Sequence, residues 1–424
     1  MRIAKIKKVE GEITVPGDKS ISHRAVMIGS LAQGTTRVRN FLESADCLST
    51  ISCFSSMGLS IEKSGQEYLI HGKGLHGLNQ AGRVMDAGNS GTTARLISGI
   101  LAGQSFSSSL TGDASLCSRP MKRIMEPLRE MGADIHSLNH DDRLPLIIEG
   151  RHLHGIAYQT KVASAQVKSC IILAGLYADG PSSVTEPALS RNHTEVMLKS
   201  FGAQISSENT TCTVMPQPLL KGQDIFVPGD ISSAAYFLAL GMLAPRGELL
   251  VKHVGINPTR DGFLKAARAM GADFDILDEN HEAEPYADIL VRPCRLHGVV
   301  IEKDMIPTLI DELPVLAVMA AFAQGTTIIR DAAELRVKES DRITAMTEGL
   351  QAMGADIEAT EDGMIIHGGK ALHGAEVDSF HDHRIAMALA VAGAVCEGEL
   401  DIRQADCVSI SYPGFYSDLF RFAK

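Results

Sequence analysis

One arrangement recurs six times along this chain and constrains its fold more than any other feature: a helix of short residues that runs into glycine and then a β-rich strand. The copies are AVMIGSLAQGTTRVRNF from Ala25, ARLISGILAGQSFSSSLTG from Ala94 and KSCIILAGLYADGPSSVTE from Lys168. They continue with AAYFLALGMLAPRGELLVKHV from Ala234, LPVLAVMAAFAQGTTIIRD from Leu313 and RIAMALAVAGAVCEGELDIRQ from Arg384. The glycines that open the strands, Gly34, Gly103, Gly180, Gly247, Gly325 and Gly398, are spaced by roughly seventy residues. A second helix follows each strand, and five of these end in a shared tag: MGLSI at Met57, MGADI at Met131, FGAQI at Phe201, MGADF at Met270 and MGADI at Met353. Glycine at that point suits a left-handed helix C-cap with a strand beyond it. In four copies the triplet Leu-His-Gly comes next, from Leu75, Leu153, Leu296 and Leu372, and its histidines read as turn residues rather than ligands. The repeating unit is therefore predicted as βαβαββ.

The sixth unit stops at its second helix, Gly414–Lys424, while the Arg2–Val9 run is a strand with no unit of its own, so the two chain ends are expected to complete one unit. Val-Pro-Gly-Asp occurs at Val15–Asp18 and again at Val227–Asp230, which suggests two crossings between lobes of three units each. The predicted fold is α/β, with residues 16–226 forming one lobe and residues 1–15 with 227–424 forming the other.

The first helices are apolar all round, as buried helices are, yet they begin with polar residues. Those starts are Asp18–Arg24, Gly88–Thr93, Ala163–Gln166, Gly229–Ser233, Asp311-Glu312 and His381–His383. If the three helices of a lobe run parallel, their positive ends gather on one face, and two such faces opposed form a cleft selective for a multiply charged anion. Lys19, Arg24, Arg95, Arg119, Lys168, Lys338, Arg342 and Arg384 lie near these starts. The stretch VPGDKSISHR from Val15 is the fullest case. There Pro-Gly ends the strand Glu12–Val15, Ser20 or Ser22 can cap the helix Ala25–Ala32, and Lys19 and Arg24 add formal charge.

Taken singly, each cation has a plainer reading. Lys338–Arg342 could be a solvated helix face, Asp382-His383-Arg384 a satisfied cap, and His381-x-His383 a pair of metal ligands without recognisable companions. Lys19-Ser20 resembles the end of a P-loop, but Asp18 stands where that loop needs glycine. No Gly-x-Gly-x-x-Gly follows a strand, which removes a dinucleotide site.

Composition narrows the ligand further. A net charge of -11 argues against a nucleic-acid or anionic-membrane surface, so an anionic ligand must meet cations gathered locally. With no tryptophan and 5% aromatic residues, stacking platforms are poorly supplied. The eight cysteines are scattered with no Cys-x-x-Cys, as expected of reduced thiols in a cytoplasmic protein. No apolar stretch of a secretory signal follows the basic Met1–Lys8, and apolar runs such as Leu313–Ala323 are too short to span a bilayer.

Six ordered motifs carry a resemblance over nearly the whole chain: PGDKSISHR (Pro16–Arg24), GNSGTTAR (Gly88–Arg95), SRPMKR (Ser118–Arg123), ASAQVKS (Ala163–Ser169), LRVKESDR (Leu335–Arg342) and DHRIAMA (Asp382–Ala388). Together they resemble the 5-enolpyruvylshikimate-3-phosphate synthase family. The resemblance implies two lobes of three βαβαββ units, with helix N-termini facing an interlobe cleft. It also implies that shikimate 3-phosphate and phosphoenolpyruvate condense with release of phosphate, with no organic cofactor and no metal. The implied partners are these two small molecules, with no nucleic acid and no membrane, in a monomer.

Residue by residue, the resemblance implies that Lys19 touches both substrates and that Ser20 and Arg24 hold the shikimate ring and its carboxylate. Ser164 and Ser190 match phosphate-holding hydroxyls, and Gln166 lies between the two substrates. Ala165, Asp311 and Lys338 fall among the shikimate 3-phosphate positions. Gly91, Arg119, Arg342 and Arg384 match the phosphoenolpyruvate pocket, supported by Asn89, Arg95 and His383. Asp311 resembles the proton acceptor and Glu339 the proton donor to the enol methylene, with Lys19 as a third catalytic group. A glutamate among cations normally ionises, so the acid role of Glu339 needs burial or a relay.

Two positions depart from the pattern. Ile410 stands where many relatives carry lysine, and Ala165 replaces a serine, as in the branch often less sensitive to glyphosate. Gly91 keeps the smaller residue, which leaves room for that inhibitor. The rival enzyme is the UDP-N-acetylglucosamine enolpyruvyl transferase, whose cysteine should lie near Arg119. Cys117 is close, but SLCSRPMKR matches the shikimate pattern. A non-catalytic anion-binding repeat protein is the other alternative, and it has no use for Asp311 and Glu339 beside the cations.

Overall fold

The computed structural model describes residues 1–422. Each repeat folds as its pattern predicts. Five sheets have four strands, in which the first two strands run parallel and the last two return antiparallel. In one of them Asp224–Phe226 pairs with Gln33–Arg39, which pairs with Glu67–Lys73 and then Ser60–Ser64. In another, Gly11–Thr14 opens the sheet beside Leu249–Gly255. Each Val-Pro-Gly-Asp phrase therefore leaves a strand in one sheet and enters a helix that covers another. The sixth sheet has three strands, and Arg2–Ala4 completes it by pairing antiparallel with Glu399–Arg403. The closing helix runs Phe415–Phe420, and residues 423–424 of the predicted Gly414–Lys424 element lie outside the described residues.

The chain divides into two compact units, residues 17–227 and residues 1–16 with 228–424. Each has one apolar core. The first helices of the six repeats are α1 (Lys19–Leu31), α2 (Gly91–Ala102), α3 (Ala165–Gly175), α4 (Ile231–Leu243), α5 (Leu313–Phe322) and α6 (His383–Val395). They are buried along almost their whole length because their small residues let neighbours come close. A Cβ on Gly99 of α2 would lie 2.2 Å from the Cys170 carbonyl oxygen of α3, so only glycine permits that packing. No single helix among the described residues is long and apolar enough to cross a membrane.

The helix ends show where local chemistry decides. Gly58, Gly132, Gly202, Gly271 and Gly354 of the tags all have φ between +86° and +100°, the left-handed C-cap that the tag implies. Among the strand-opening glycines, Gly34, Gly247, Gly325 and Gly398 have positive φ. Gly103 instead closes α2 at φ -94°. The start of α1 corrects an expectation. It begins at Lys19 rather than Ala25, and its cap is Asp18, whose carboxylate accepts from the Ile21 N–H at 2.9 Å. Ser22 faces inward instead and accepts from the Leu42 N–H. Because the helix starts at Lys19, Ser20 and Ser22 lie inside it and Asp18 holds the cap position. Ser90, Ser164, Asp230 and Asp382 cap α2, α3, α4 and α6, whereas α5 starts after Glu312 with no side-chain cap.

Candidate active site

The predicted site residues fall into two groups, one in each unit. In the 17–227 unit they surround the starts of α1, α2 and α3. Lys19 lies in the first turn of α1 with its ammonium 3.2 Å from Asp46, and a 23% exposed side chain leaves it able to reach a ligand. Arg24 is buried one turn further on. Its guanidinium donates to the Ser20 carbonyl (2.9 Å), Thr194 Oγ1 (2.7 Å) and Ser169 Oγ (2.9 Å), fixing the first turn of α1. Between these cations His23 is fully buried, and its Nδ1 pairs with Thr50 Oγ1 at 2.7 Å. Desolvation pushes its pKa down to about 3, so it is neutral.

Around the start of α2, Arg119 donates to Asn89 Oδ1 at 2.9 Å and to Ser115 Oγ at 3.2 Å. Asn89 donates in turn to Asp113. A Cβ on Gly91 would lie 2.8 Å from Arg95 Nη1 and 3.7 Å from Arg119 Nη1, so glycine keeps this helix start open to both arginines. Arg95 donates to Gln166 Oε1 at 2.7 Å, and Gln166 donates to Thr92 Oγ1 at 3.2 Å, which joins the start of α2 to that of α3.

At α3, Ser164 is the cap and Ala165 the first helical residue. The Glu186 carboxylate accepts from the Ser164 N–H (2.8 Å) and from the Ser190 hydroxyl (2.8 Å), so one buried side chain aligns both predicted phosphate hydroxyls. Lys168, one of the cations expected near the anion, is buried between Glu186 (3.0 Å) and Glu195 (2.8 Å). Burial alone would lower its pKa, and the two carboxylates more than reverse that, leaving it raised. Its charge stabilises the carboxylates instead of facing a ligand.

In the other unit a buried ion cluster sits at the starts of α4, α5 and α6. Asp311, 13% exposed, has Oδ1 3.4 Å from Arg342 Nη1 and Oδ2 3.8 Å from both Arg384 Nη2 and Arg260 Nη1. Arg342 is fully buried. It also donates to Asp382 (2.8 Å), the α6 cap, and to Glu339 (2.5 Å). Burial opposes the charge on Arg342 and on Arg384, yet the carboxylates around each hold its pKa above the ordinary arginine value. Burial likewise opposes the Asp382 carboxylate, and Arg342 holds its pKa below the usual range. Glu339 is 33% exposed. Lys338 lies beside it, 3.3 Å from Glu334, and His383 is buried in the first turn of α6.

Several plainer readings are resolved. The Lys338–Arg342 stretch is not simply a solvated face, because Arg342 is core. Among the described residues the one grouping with metal-ligand geometry is the exposed His152, His154 and Asp179, which includes neither His381 nor His383. The Cys117 thiol donates to the Gly112 carbonyl at 3.3 Å. Sequence reasoning missed Asp46, Glu186, Glu195 and Arg260, and read Glu312 only as part of a polar helix start. Asp46, Glu186 and Glu195 come from later in the same repeat as the cation each one meets, and Arg260 from the repeat before Asp311. The phrase Asn257-Pro258-Thr259-Arg260, after a strand, was the one available signal.

Two sets of cations at helix starts, in a chain of net charge -11, with carboxylates set among them, suit small, multiply charged anions. The comparisons make this specific. The sequence profile of the EPSP synthase family, 3-phosphoshikimate 1-carboxyvinyltransferase, matches residues 3–419. The chain is 50% identical to the 3-phosphoshikimate 1-carboxyvinyltransferase of Bacillus velezensis, covering 100% of both chains. It is 51% identical to that of Geobacter sulfurreducens, over 98% of this chain and 97% of that one. The solved EPSP synthase of Acinetobacter baumannii superposes with a TM-score of 0.92 at 45% identity, over 99% of this chain and 97% of the other. This chain belongs to the EPSP synthase family.

Proposed function

We propose that this chain carries out the reaction of its family, transfer of the enolpyruvyl group of phosphoenolpyruvate to the 5-hydroxyl of shikimate 3-phosphate with release of phosphate, and that the two residue groups divide the work. Ser164 and Ser190, aligned by Glu186, receive the phosphate of shikimate 3-phosphate at the start of α3, with Ser20, Arg24, Ala165, Gln166 and Lys338 around the sugar acid. Lys19, Gly91, Arg119, Gln166, Arg342 and Arg384 receive phosphoenolpyruvate, whose charges favour paired guanidinium donors.

The reaction is an addition followed by an elimination. Asp311 takes the proton of the 5-hydroxyl as its oxygen bonds to the central enol carbon, and the methylene carbon takes a proton from Glu339. Elimination returns a methyl proton to Glu339 as the carbon–oxygen bond to phosphate breaks, and the proton held by Asp311 passes to the departing phosphate, which restores the base. Cations beside the phosphate stabilise it as it leaves.

Arg342 links the two proton-transfer residues, since it lies 3.4 Å from Asp311 and 2.5 Å from Glu339. A substrate carboxylate that takes Arg342 frees Glu339 from this ion pair. The observation that carries the assignment is the Asp311 carboxylate held by three arginines. Asp311→Asn tests it. Both substrates should still bind, while turnover falls by roughly 10²–10⁴-fold. Near-normal turnover removes Asp311 as base.

A further inference from the structure

Of the three buried arginines among the described residues of this unit, Arg260 is the one given no substrate above. Its backbone is fixed by a turn in which Asn257 Oδ1 accepts from the Thr259 N–H (2.9 Å) and hydroxyl (2.8 Å), and the Arg260 N–H donates to the Asn257 carbonyl (2.7 Å). Asn257 is itself tied to Glu284 at 3.1 Å. The residue is 3% exposed. Its Nη2 donates to Ser232 Oγ (2.8 Å), Glu312 Oε1 (3.3 Å) and Asp230 Oδ1 (3.4 Å). Its Nη1 lies 3.8 Å from Asp311 Oδ2. One side chain thus joins the α4 cap, the residue before α5, and Asp311.

We propose that Arg260 is a positioning residue for the proposed base: it holds Asp311 oriented and ionised when substrate anions draw Arg342 and Arg384 away. The inference rests on the reading of Asp311 as base. Arg342 and Arg384 are the cations assigned to phosphoenolpyruvate, so their attraction for Asp311 weakens when the site fills. Arg260 is held on its other nitrogen by two carboxylates and a hydroxyl, and it stays. A cation that does not leave with the ligand keeps the carboxylate aimed and ionised until it takes the proton. Among the charged groups around Asp311 are the cations Arg260, Arg342 and Arg384, and the anions Glu312 and Asp230 that share Arg260. Asp382 and Glu339 share Arg342, and Tyr236 lies close to Arg384. Removing one cation from this set leaves the ionised carboxylate with less favourable charge beside it.

The test is steady-state kinetics against pH for Arg260→Gln, Arg260→Lys and Asp311→Asn. R260Q should lower kcat by roughly ten- to a hundredfold at neutral pH, leave both KM values within about threefold, and move the acid limb of kcat up by about one pH unit. R260K restores the charge without the fork, so its limb should stay near wild type with kcat intermediate. A folded R260Q with wild-type kcat and an unmoved limb overturns the proposal. So does a kcat loss shared equally by both variants with the limb unmoved, which marks a merely structural role. Should R260Q not fold, a wild-type kcat in R260K overturns the proposal, because the fixed fork is then dispensable. Near-normal turnover of D311N removes the base reading itself. An inactive D311N with a normal R260Q removes only the role given to Arg260.

Discussion

Replacing His23 by glutamine separates one buried ionisation from the rest of the acid behaviour of this protein. His23 is fully buried in the second turn of α1, beside Lys19 and Arg24, and desolvation lowers its pKa from 6.5 to about 3. The nearby Asp46 pulls the other way and does not compensate. The folded state therefore refuses a proton that the unfolded chain accepts. Because the folded pKa is the lower one, the stability at stake is complete above pH 6.5, falls as the pH drops toward 3, and levels off below that. The slope is about 1.4 kcal/mol per pH unit, so His23 alone should cost about 2 kcal/mol of stability between pH 7 and pH 5. The assay is denaturant unfolding of wild type and H23Q at both pH values, read as a double difference so that any constant cost of the substitution cancels. H23Q should lose about 2 kcal/mol less than wild type over that interval. Equal losses would refute the reasoning, and so would a His23 resonance that titrates near its ordinary value. The structural stake is the relay from His23 through Thr50 and Thr93 to Ser90, linked at 2.7, 2.7 and 2.8 Å, which ties the start of α1 to the cap of α2.

Lys168→Met should destabilise the 17–227 unit by about 3–5 kcal/mol, since it strands Glu186 and Glu195 without their cation. Thermal or denaturant unfolding checks this, and adding Glu186→Gln should recover part of the loss. Ser190→Ala should raise the KM for shikimate 3-phosphate by roughly tenfold or more, the worth of one hydrogen bond to a charged group, and leave the KM for phosphoenolpyruvate unchanged. A KM change for phosphoenolpyruvate alone would contradict the role given to Ser190.

The repeat was legible because each copy of the unit writes the same physics. Short residues let the first helix be buried, glycine at Gly58, Gly132, Gly202, Gly271 and Gly354 turns the second helix into a strand, and the orphan strand at Arg2–Ala4 had one sheet left to complete. The motif residues were legible too, since Lys19, Gly91, Ser164, Asp311, Arg342 and Arg384 do lie at or beside the helix starts. Partnerships were not legible. Lys168 looks like any cation beside a helix start, and only the fold brings Glu186 and Glu195 to it. Arg260 reaches Asp311 across 51 residues of sequence, and Asp46 reaches Lys19 across 27. The start of α1 was misplaced for a related reason. Local preference weighs Ser20 and Ser22 as caps, while the fold turns Ser22 inward and leaves the end to Asp18.

The measurement that tests the central claim most directly is phosphate release by the purified protein, given phosphoenolpyruvate with and without shikimate 3-phosphate, in the presence of EDTA. Enolpyruvyl transfer by side chains alone predicts release that requires both substrates and survives chelation. Release from phosphoenolpyruvate alone, or none with both substrates present, would contradict it.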